Sequence, residues 1–369
     1  MRTMLRGLVL LWTASLLLSG CGMNGYKDID KRFFVVSMGV DPGEKKNTYK
    51  VWMKFAIPSG EMKAGQEKSE LHSEEAETIG EAVRKMKTRV DKEIDFGHLK
   101  MIVLGKGVIS RPLEETIDWF LRRRDIQKIA WVAVGQPDAK SVLGIKTKSE
   151  RVPSNSLFLS FGYEGIESPS TVTVQLFDLH RRLEERGLDP LLPVLTAMEE
   201  ASQQAVRQTV VFNKEEKQVW LNAEESEMLN LIMGATEKGT WGIEKEGLHF
   251  LFSAERMTAS YKITRKADGR PVIVINGKIR GIVEEMKGGE ETHDANKLKK
   301  IITERLNKDI SKLLYKLRDQ RVDPIGFGLR YRSRNFTNKT EWENWHKLYS
   351  EIEFETKVKV ELEGVGLIK

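Results

Sequence analysis

Cysteine occurs once in this chain, at position 21, and that single thiol removes whole classes of fold. One Cys cannot build an internal disulfide framework, a multi-cysteine zinc site or a CxxC redox pair. The 369 residues must therefore hold together by apolar burial, and a chain of that length can form two or three modest domains with their own cores. With 40% hydrophobic and 31% charged residues, the chain reads as globular, neither disordered nor polytopic. The net charge of +6 is a small excess of 60 basic over 54 acidic residues. Both signs are interspersed, so no nucleic-acid tail is expected, and attraction to anionic lipid headgroups is weak.

The position of the cysteine points to a membrane. Arg2 and Arg6 supply a positive start, Leu8 to Trp12 and Leu16 to Leu18 an apolar run, and Ser19-Gly20 small residues before a cut. The run is shorter than the roughly 20 apolar residues of a spanning helix. Leu18-Ser19-Gly20-Cys21 resembles a bacterial lipobox, in which the thiol receives a diacylglycerol, the chain is cut between Gly20 and Cys21, and the new N-terminus is acylated. An ordinary signal followed by a stray cysteine, or an uncleaved anchor, are the competing readings, and the four-residue match directly after the apolar run favours lipidation. Residues 1–20 are then a lipoprotein signal peptide and 21–31 a lipid-anchored polar tether, with everything beyond outside the cytoplasm.

Downstream, strand and helix periods alternate. Phe33 to Val40 and Tyr49 to Ala56 read as strands around a turn at Asp41-Pro42-Gly43, and residues 58–76 as polar loop. Ile79, Ala82, Val83, Met86 and Val90 fall at helical spacing, with Gly97 as the break before a strand over Leu99 to Leu104. A helix after Pro112, a strand from Ile129 to Val134 and a third helix from Val172 to Arg186 follow, the last ended by Gly187. Asp189 to Pro193 reads as a segment leading away, with a domain boundary at 198–206. The second part shows strands over Thr209 to Phe212, Gln218 to Leu221, Leu248 to Ser253, Met257 to Thr264 and Val272 to Val283. A helix spans Ala223 to Met233, a long helix follows a cap at Asp294, and a period-2 strand runs from Phe354 to Leu362. The predicted class is α/β (α+β), multidomain, with mixed and antiparallel sheets each covered by helices. The domains are 32–200 and 206–369, the second divisible near 235–290.

No catalytic motif emerges. The histidines at 72, 98, 180, 249, 293 and 346 form no HExxH or other close ligand pair, so no metal site is assigned. Gly105-Lys106-Gly107 lacks the rest of a phosphate-binding loop, and there is no GxSxG elbow. His249 reads as a structural histidine within a strand, and Trp119 and Trp131 as core. Trp342 and Trp345 lie in a polar helical stretch, where a contact surface and docking onto their own domain both remain open. No cofactor and no catalytic residue are expected.

The order of motifs carries a resemblance. A strand ending Gly39-Val40-Asp41 is followed by Phe96-Gly97-His98-Leu99-Lys100 and Met101-Ile102-Val103-Leu104-Gly105. Phe120-Leu121-Arg122-Arg123 then leads to a strand ending Val134-Gly135, and Asp323-Pro324-Ile325-Gly326-Phe327-Gly328 precedes a Trp-containing stretch and the last strand. With the lipobox, this series resembles the Ger(x)C family, the C-subunit lipoproteins of spore germinant receptors in spore-forming Firmicutes, over essentially the whole chain. One departure is that Gly25-Tyr26-Lys27-Asp28 stands where the family usually has Trp-Asp.

The resemblance implies a non-enzymatic lipoprotein on the outer face of the inner spore membrane. It implies two membrane-embedded receptor subunits as partners, and leaves direct nutrient binding open. Phe96, Gly97, His98, Pro324, Gly326, Phe327 and Gly328 are its most specific positions. Their glycines and proline specify backbone shape first: Gly97 as a helix-to-strand turn, Pro324 as a stop to the long helix, and Gly326 and Gly328 as tight geometry around a buried Phe327. Architectural and partner-docking roles are equally compatible with them. A substrate-binding lipoprotein of a transporter is the alternative function, with two similar lobes around a cleft. A surface hydrolase is the third.

Overall fold

A computed structural model describes residues 6, 29–57, 69–146, 155–161, 168–198, 203–214, 217–245, 247–287, 294–334 and 340–364. Gly20, Cys21 and His293 lie outside the described residues.

The apolar runs form a nine-stranded sheet in the order β3-β2-β1-β5-β6-β7-β8-β9, with β4 beside β1. The strands are β1 (Arg32–Pro42), β2 (Tyr49–Ala56), β3 (Ser69–Ala76), β4 (Glu93–Asp95), β5 (Met101–Gly105), β6 (Trp131–Gln136), β7 (Leu191–Met198), β8 (Gln203–Phe212) and β9 (Gln218–Leu221). Strands β1, β5, β6 and β7 are parallel, and antiparallel hairpins flank them on both sides. The parallel centre is covered on both faces, which is why β5 is buried at every position. Ile102, Leu104, Val132 and Val134 pack under α1 (Ile79–Lys87), α2 (Leu113–Arg122) and α5 (Leu176–Glu184). Their neighbours Met101, Val103, Trp131 and Ala133 face α3 (Ala139–Gly144) and α4 (Asn155–Leu159).

The second sheet runs β10 (Gly239–Lys245), β11 (Leu248–Arg265), β12 (Pro271–Lys287) and β13 (Glu353–Gly364), with α6 (Ala223–Met233) bridging from the first. One face alternates into the core and the other carries charge, notably Lys278 and Arg280 on β12 against Glu361 on β13. The chain crosses from β12 to the parallel β13 through α7 (Ala295–Asp319), α8 (Phe327–Arg334) and α9 (Glu341–Glu351). Asp294 caps α7 by accepting from the Asn296 and Lys297 amides. A cap contributes about 1 kcal/mol, whereas burying one Leu or Ile stabilises by about 1.5–3 kcal/mol. Eight buried Leu and Ile residues between Leu298 and Leu317 therefore decide where this helix lies. Tyr315 and Asn307 of α7 accept the Phe354 and Val358 amides of β13, shielding the edge of the sheet. A single apolar cluster runs through both sheets.

Several expectations are corrected. Residues 69–76, read as loop, form β3, an edge strand in register with β2 from Tyr49↔Ala76 to Ala56↔Ser69. The segment after Asp189 does not lead away but forms β7. The third helix begins at Leu176, because residues 174–176 bond to the backbone of Ala130 and Val132 beside β6. The first helix ends at Thr88 without Gly97, which lies beyond β4. Residues 248–265, read as two strands, are one bulged strand. Apart from these corrections, the stretch 198–206 runs from the end of β7 into β8, and the second sheet begins at Gly239.

Candidate functional site

The segment Asp323 to Gly328 sits where the two sheets meet. The long helix stops before Pro324: Gln320 caps it, Arg321 adopts φ 56°, and the Val322 amide returns to the Leu317 carbonyl at 3.0 Å. Asp323 is then carried into the interior, where its carboxylate accepts the Gly326, Phe327 and Gly328 amides at 2.9, 3.0 and 2.7 Å. Those amides open α8 and have no partner within the helix, so Asp323 acts as its cap. Gly326 has φ 83°, which a residue with a Cβ rarely adopts. Phe327 is buried edge-on to Tyr261 at 4.8 Å, beside Phe354 at 6.1 Å.

The other half of the site comes from the end of α5. Asp189 and Asp323 exchange backbone contacts: the Asp323 amide donates to the Asp189 carboxylate at 2.6 Å, and the Asp189 amide donates to the Asp323 carbonyl at 2.9 Å. Arg182, with its side chain only 7% exposed, donates to the Asp178 carboxylate and to the Asp189 and Pro324 carbonyls. The Gly187 carbonyl accepts the Leu329 amide at 2.8 Å. A Cβ on Gly187 would stand 2.6 Å from the Gly328 carbonyl carbon, and one on Gly328 would stand 2.5 Å from Trp345 Nε1. Trp345 is buried and stacked on Tyr349, whose hydroxyl donates to the Val322 carbonyl at 2.8 Å. Trp345 therefore docks onto its own body. Trp342 and His346 line a cleft over the pair of aspartates.

Burial dominates the electrostatics. It pushes Asp323 up to about 7 against its three amide donors, and the neighbouring Asp189 adds to the rise. Burial also lifts Asp189 to about 6 and raises the Tyr349 phenol well above its usual range. It lowers the Lys214 ammonium, which donates to the Arg182 and Leu183 carbonyls. The three donors to the Asp323 carboxylate are backbone amides. The constellation holds backbone in place.

Phe96 to Lys100 form a separate cluster at the start of β5. Phe96 is buried edge-on to Trp119 at 5.7 Å, with the Arg123 guanidinium over both rings. The Gly97 amide donates to Asp95, its carbonyl accepts from Gln127, and Arg32 pairs with Asp95 at 2.7 Å. His98 is exposed, edge-on to Phe34 at 4.8 Å. His249, expected inside a strand, stands exposed on β11.

The opposite end of the parallel strands, where open α/β sheets commonly take ligands, is closed by the chain itself. Asp41, at the end of β1, accepts the Ala139 and Lys140 amides at 2.8 and 3.1 Å, and Asp138 accepts the Ser141 amide. Carboxylates already occupy the start of α3 where a phosphate would bind. A Cβ at Gly105 would lie 1.8 Å from the Asp41 carboxylate, and burial raises the Asp41 pKa. Among the described residues no His, Cys, Asp and Glu side chains gather to hold a metal, and no helix is long and apolar enough to cross a membrane.

Sequence reasoning missed Arg182 and Lys214, and it read Gly187, Asp189 and Asp41 only as a helix end, a departing segment and a strand end. Asp189 and Asp323 are 134 residues apart, and no local period announces such a pair. The one available signal was a Gly and an Asp either side of an apolar residue, directly after an amphipathic helix.

Two family models match the chain in tandem. The spore germination protein N-terminal domain covers residues 25–197, and the spore germination B3/GerAC-like C-terminal domain covers residues 207–366. Spore germination protein KC of Bacillus subtilis (strain 168) is 22% identical over 327 residues, spanning 80% of this chain and 79% of that protein. The crystal structure of the GerBC protein aligns with a TM-score of 0.58 at 16% identity, covering 88% of this chain and 97% of that one. The last comparison speaks for the fold.

Proposed function

The chain belongs to the Ger(x)C family of spore germination proteins, and on that premise we propose that it is the lipid-anchored, non-enzymatic C-subunit of a nutrient germinant receptor. The observation that carries the reading is the tandem match across both halves, directly following Leu18-Ser19-Gly20-Cys21. Acylation at Cys21 confines the body to the outer face of the inner spore membrane. Local concentration there is high, so modest interfaces suffice to hold two membrane-embedded subunits. Asp323 to Gly328 serve as the internal lock that fixes the two sheets relative to each other, and a receptor partner then meets one body. Residues 32–200 and 206–369 are sequence units of this family, joined through the shared hairpin.

A transporter's binding lipoprotein would have two similar lobes around a cleft, and this chain has a nine-stranded and a four-stranded sheet. Affinity capture of the full-length protein from solubilised spore membranes, with mass spectrometry, tests the proposal. Two membrane-embedded partners and a diacylated Cys21 peptide are expected. Capture with a permease and an ATPase, or of an unmodified Cys21, would overturn it.

A further inference from the structure

Parallel strands start at the same end of a sheet, so the first residues of β1, β4, β5 and β6 stand together. Ser37 pairs with Met101, and Met101 with Trp131, so β1 begins five residues ahead of β5 and β6 at this end, its first three residues paired with β4 and Ile29 just ahead of it. Cys21 precedes Ile29 by eight residues, a reach of at most about 28 Å when fully extended. Whatever holds Cys21 therefore holds this end of the sheet close by.

This end is also where apolar side chains stand out of the surface. Ile29, Ile129 and Phe177 are 66%, 59% and 49% exposed. The Phe177 amide donates to the Lys128 carbonyl, which puts Phe177 and Ile129 on adjoining backbone at the start of β6. Leu159, 41% exposed, follows Phe158, whose ring lies 4.3 Å from the Lys100 ammonium just before β5. Of the large apolar side chains that stand exposed among the described residues, only Met198 lies elsewhere, at the far end of β7. Lys31, Lys92, Lys100 and Arg124 are exposed around this end beside Asp30, Asp91 and Glu93, while Arg32 and Arg123 are matched by Asp95 and Asp125, and Glu70 bonds to His72. Exposed apolar side chains with lysines and an arginine around them fit an anionic lipid headgroup layer.

We propose that this end of the nine-stranded sheet rests on the anionic bilayer, with Ile129 and Phe177 entering the headgroup layer. The inference depends on Cys21 being the lipid anchor. It makes the anchor one of two membrane contacts, and it fixes which way up the body stands.

The test couples the chain beginning at Cys21, through its single thiol, to maleimide lipid in phosphatidylglycerol-containing vesicles. Hydroxyl-radical footprinting then reads side-chain oxidation. Oxidation of Ile129 and Phe177 is expected to fall severalfold relative to the free protein, with Met198 unchanged. With Cys21 alkylated and no lipid attached, the double variant Ile129→Ser/Phe177→Ser is expected to partition about tenfold more weakly onto the same vesicles. Its thermal unfolding is expected to be unaltered, since both side chains are exposed. Unchanged oxidation of Ile129 and Phe177 in the coupled protein overturns the proposal. So does protection that appears only in vesicles made from spore membranes with their proteins, which assigns the face to a protein partner. The synthetic anchor keeps this outcome separate from failure of natural acylation, which the Cys21 peptide mass reads directly.

Discussion

Asp41 and Asp323 are both buried, both stand ahead of a short helix, and both accept that helix's first amides. Their surroundings differ. Asp41 ties β1 to α3, two elements of the same sheet and its cover, and the nearest second carboxylate, Asp138, is engaged in its own cap. Asp323 faces Asp189 from the other half of the chain, and each residue's backbone is bonded to the other. The same device therefore stiffens one sheet at the first site and joins two sheets at the second. The second brings two buried acids together, which makes it sensitive to protons.

The largest separation between the two sites should come from truncation. Asp323→Ala leaves three buried amides without an acceptor and is expected to cost about 3 kcal/mol or more, whereas Asp41→Ala, orphaning two, is expected to cost about 2 kcal/mol. Chemical denaturation followed by tryptophan fluorescence would measure both. The Asp323 variant should also unfold in two steps as the sheets uncouple, and a single transition would break the comparison. Next comes Gly187→Ala, which places a Cβ 2.6 Å from the Gly328 carbonyl carbon at φ 86°. A loss of about 2 kcal/mol is expected, against a near-neutral Gly144→Ala on α3, where a Cβ meets nothing within 4 Å.

Proton linkage gives an effect with a definite sign. Asp189 and Asp323 lie at about 6 and about 7 in the folded chain, above their ordinary value of 3.8. The folded junction thus holds protons that the unfolded chain has already released. Its contribution to stability is fully present below about pH 4 and is lost as the pH rises through 6 and 7. Asp189→Asn keeps an acceptor for the Asp323 amide and should flatten this slope in denaturation midpoints taken between pH 5 and pH 8. Asp41→Asn should leave the slope in place. The smallest effect is expected at Glu227, which burial raises to about 7 while it accepts the Thr240 amide. Glu227→Gln should stabilise by less than about 1 kcal/mol at pH 8 and by nothing measurable at pH 5.

Periodicity made most of the elements legible, since it records which face is buried. The α7 stripe from Leu298 to Leu317 and the alternation over Phe354 to Leu362 are direct records of packing. Strand β3 escaped because Ser-Glu-Leu-His-Ser-Glu-Glu-Ala carries the charge of an edge strand, with little apolar alternation to read. Strand β7 escaped because Pro190 and Pro193 look like breakers. Pro193 is tolerated because the ladder to β6 begins only at Val194, so the missing donor falls before it. The site was half legible. Gly326, Phe327 and Gly328 announced tight backbone, but Asp323 stood out only as the first residue of their motif. Its counterpart Asp189 lay in a stretch read as linker, because what makes the pair special is a tertiary contact that no local spacing encodes.

The β7–β8 hairpin has a practical consequence for dissecting this molecule. The tandem family matches divide at 197 and 207, and a fragment made to that division would keep β7 while losing β8 and β9. It would expose the unpaired backbone of a buried, apolar strand, a template on which further copies can stack. Limited proteolysis should accordingly leave a core that ends beyond Leu221, and a fragment cut there is the one expected to stay in solution.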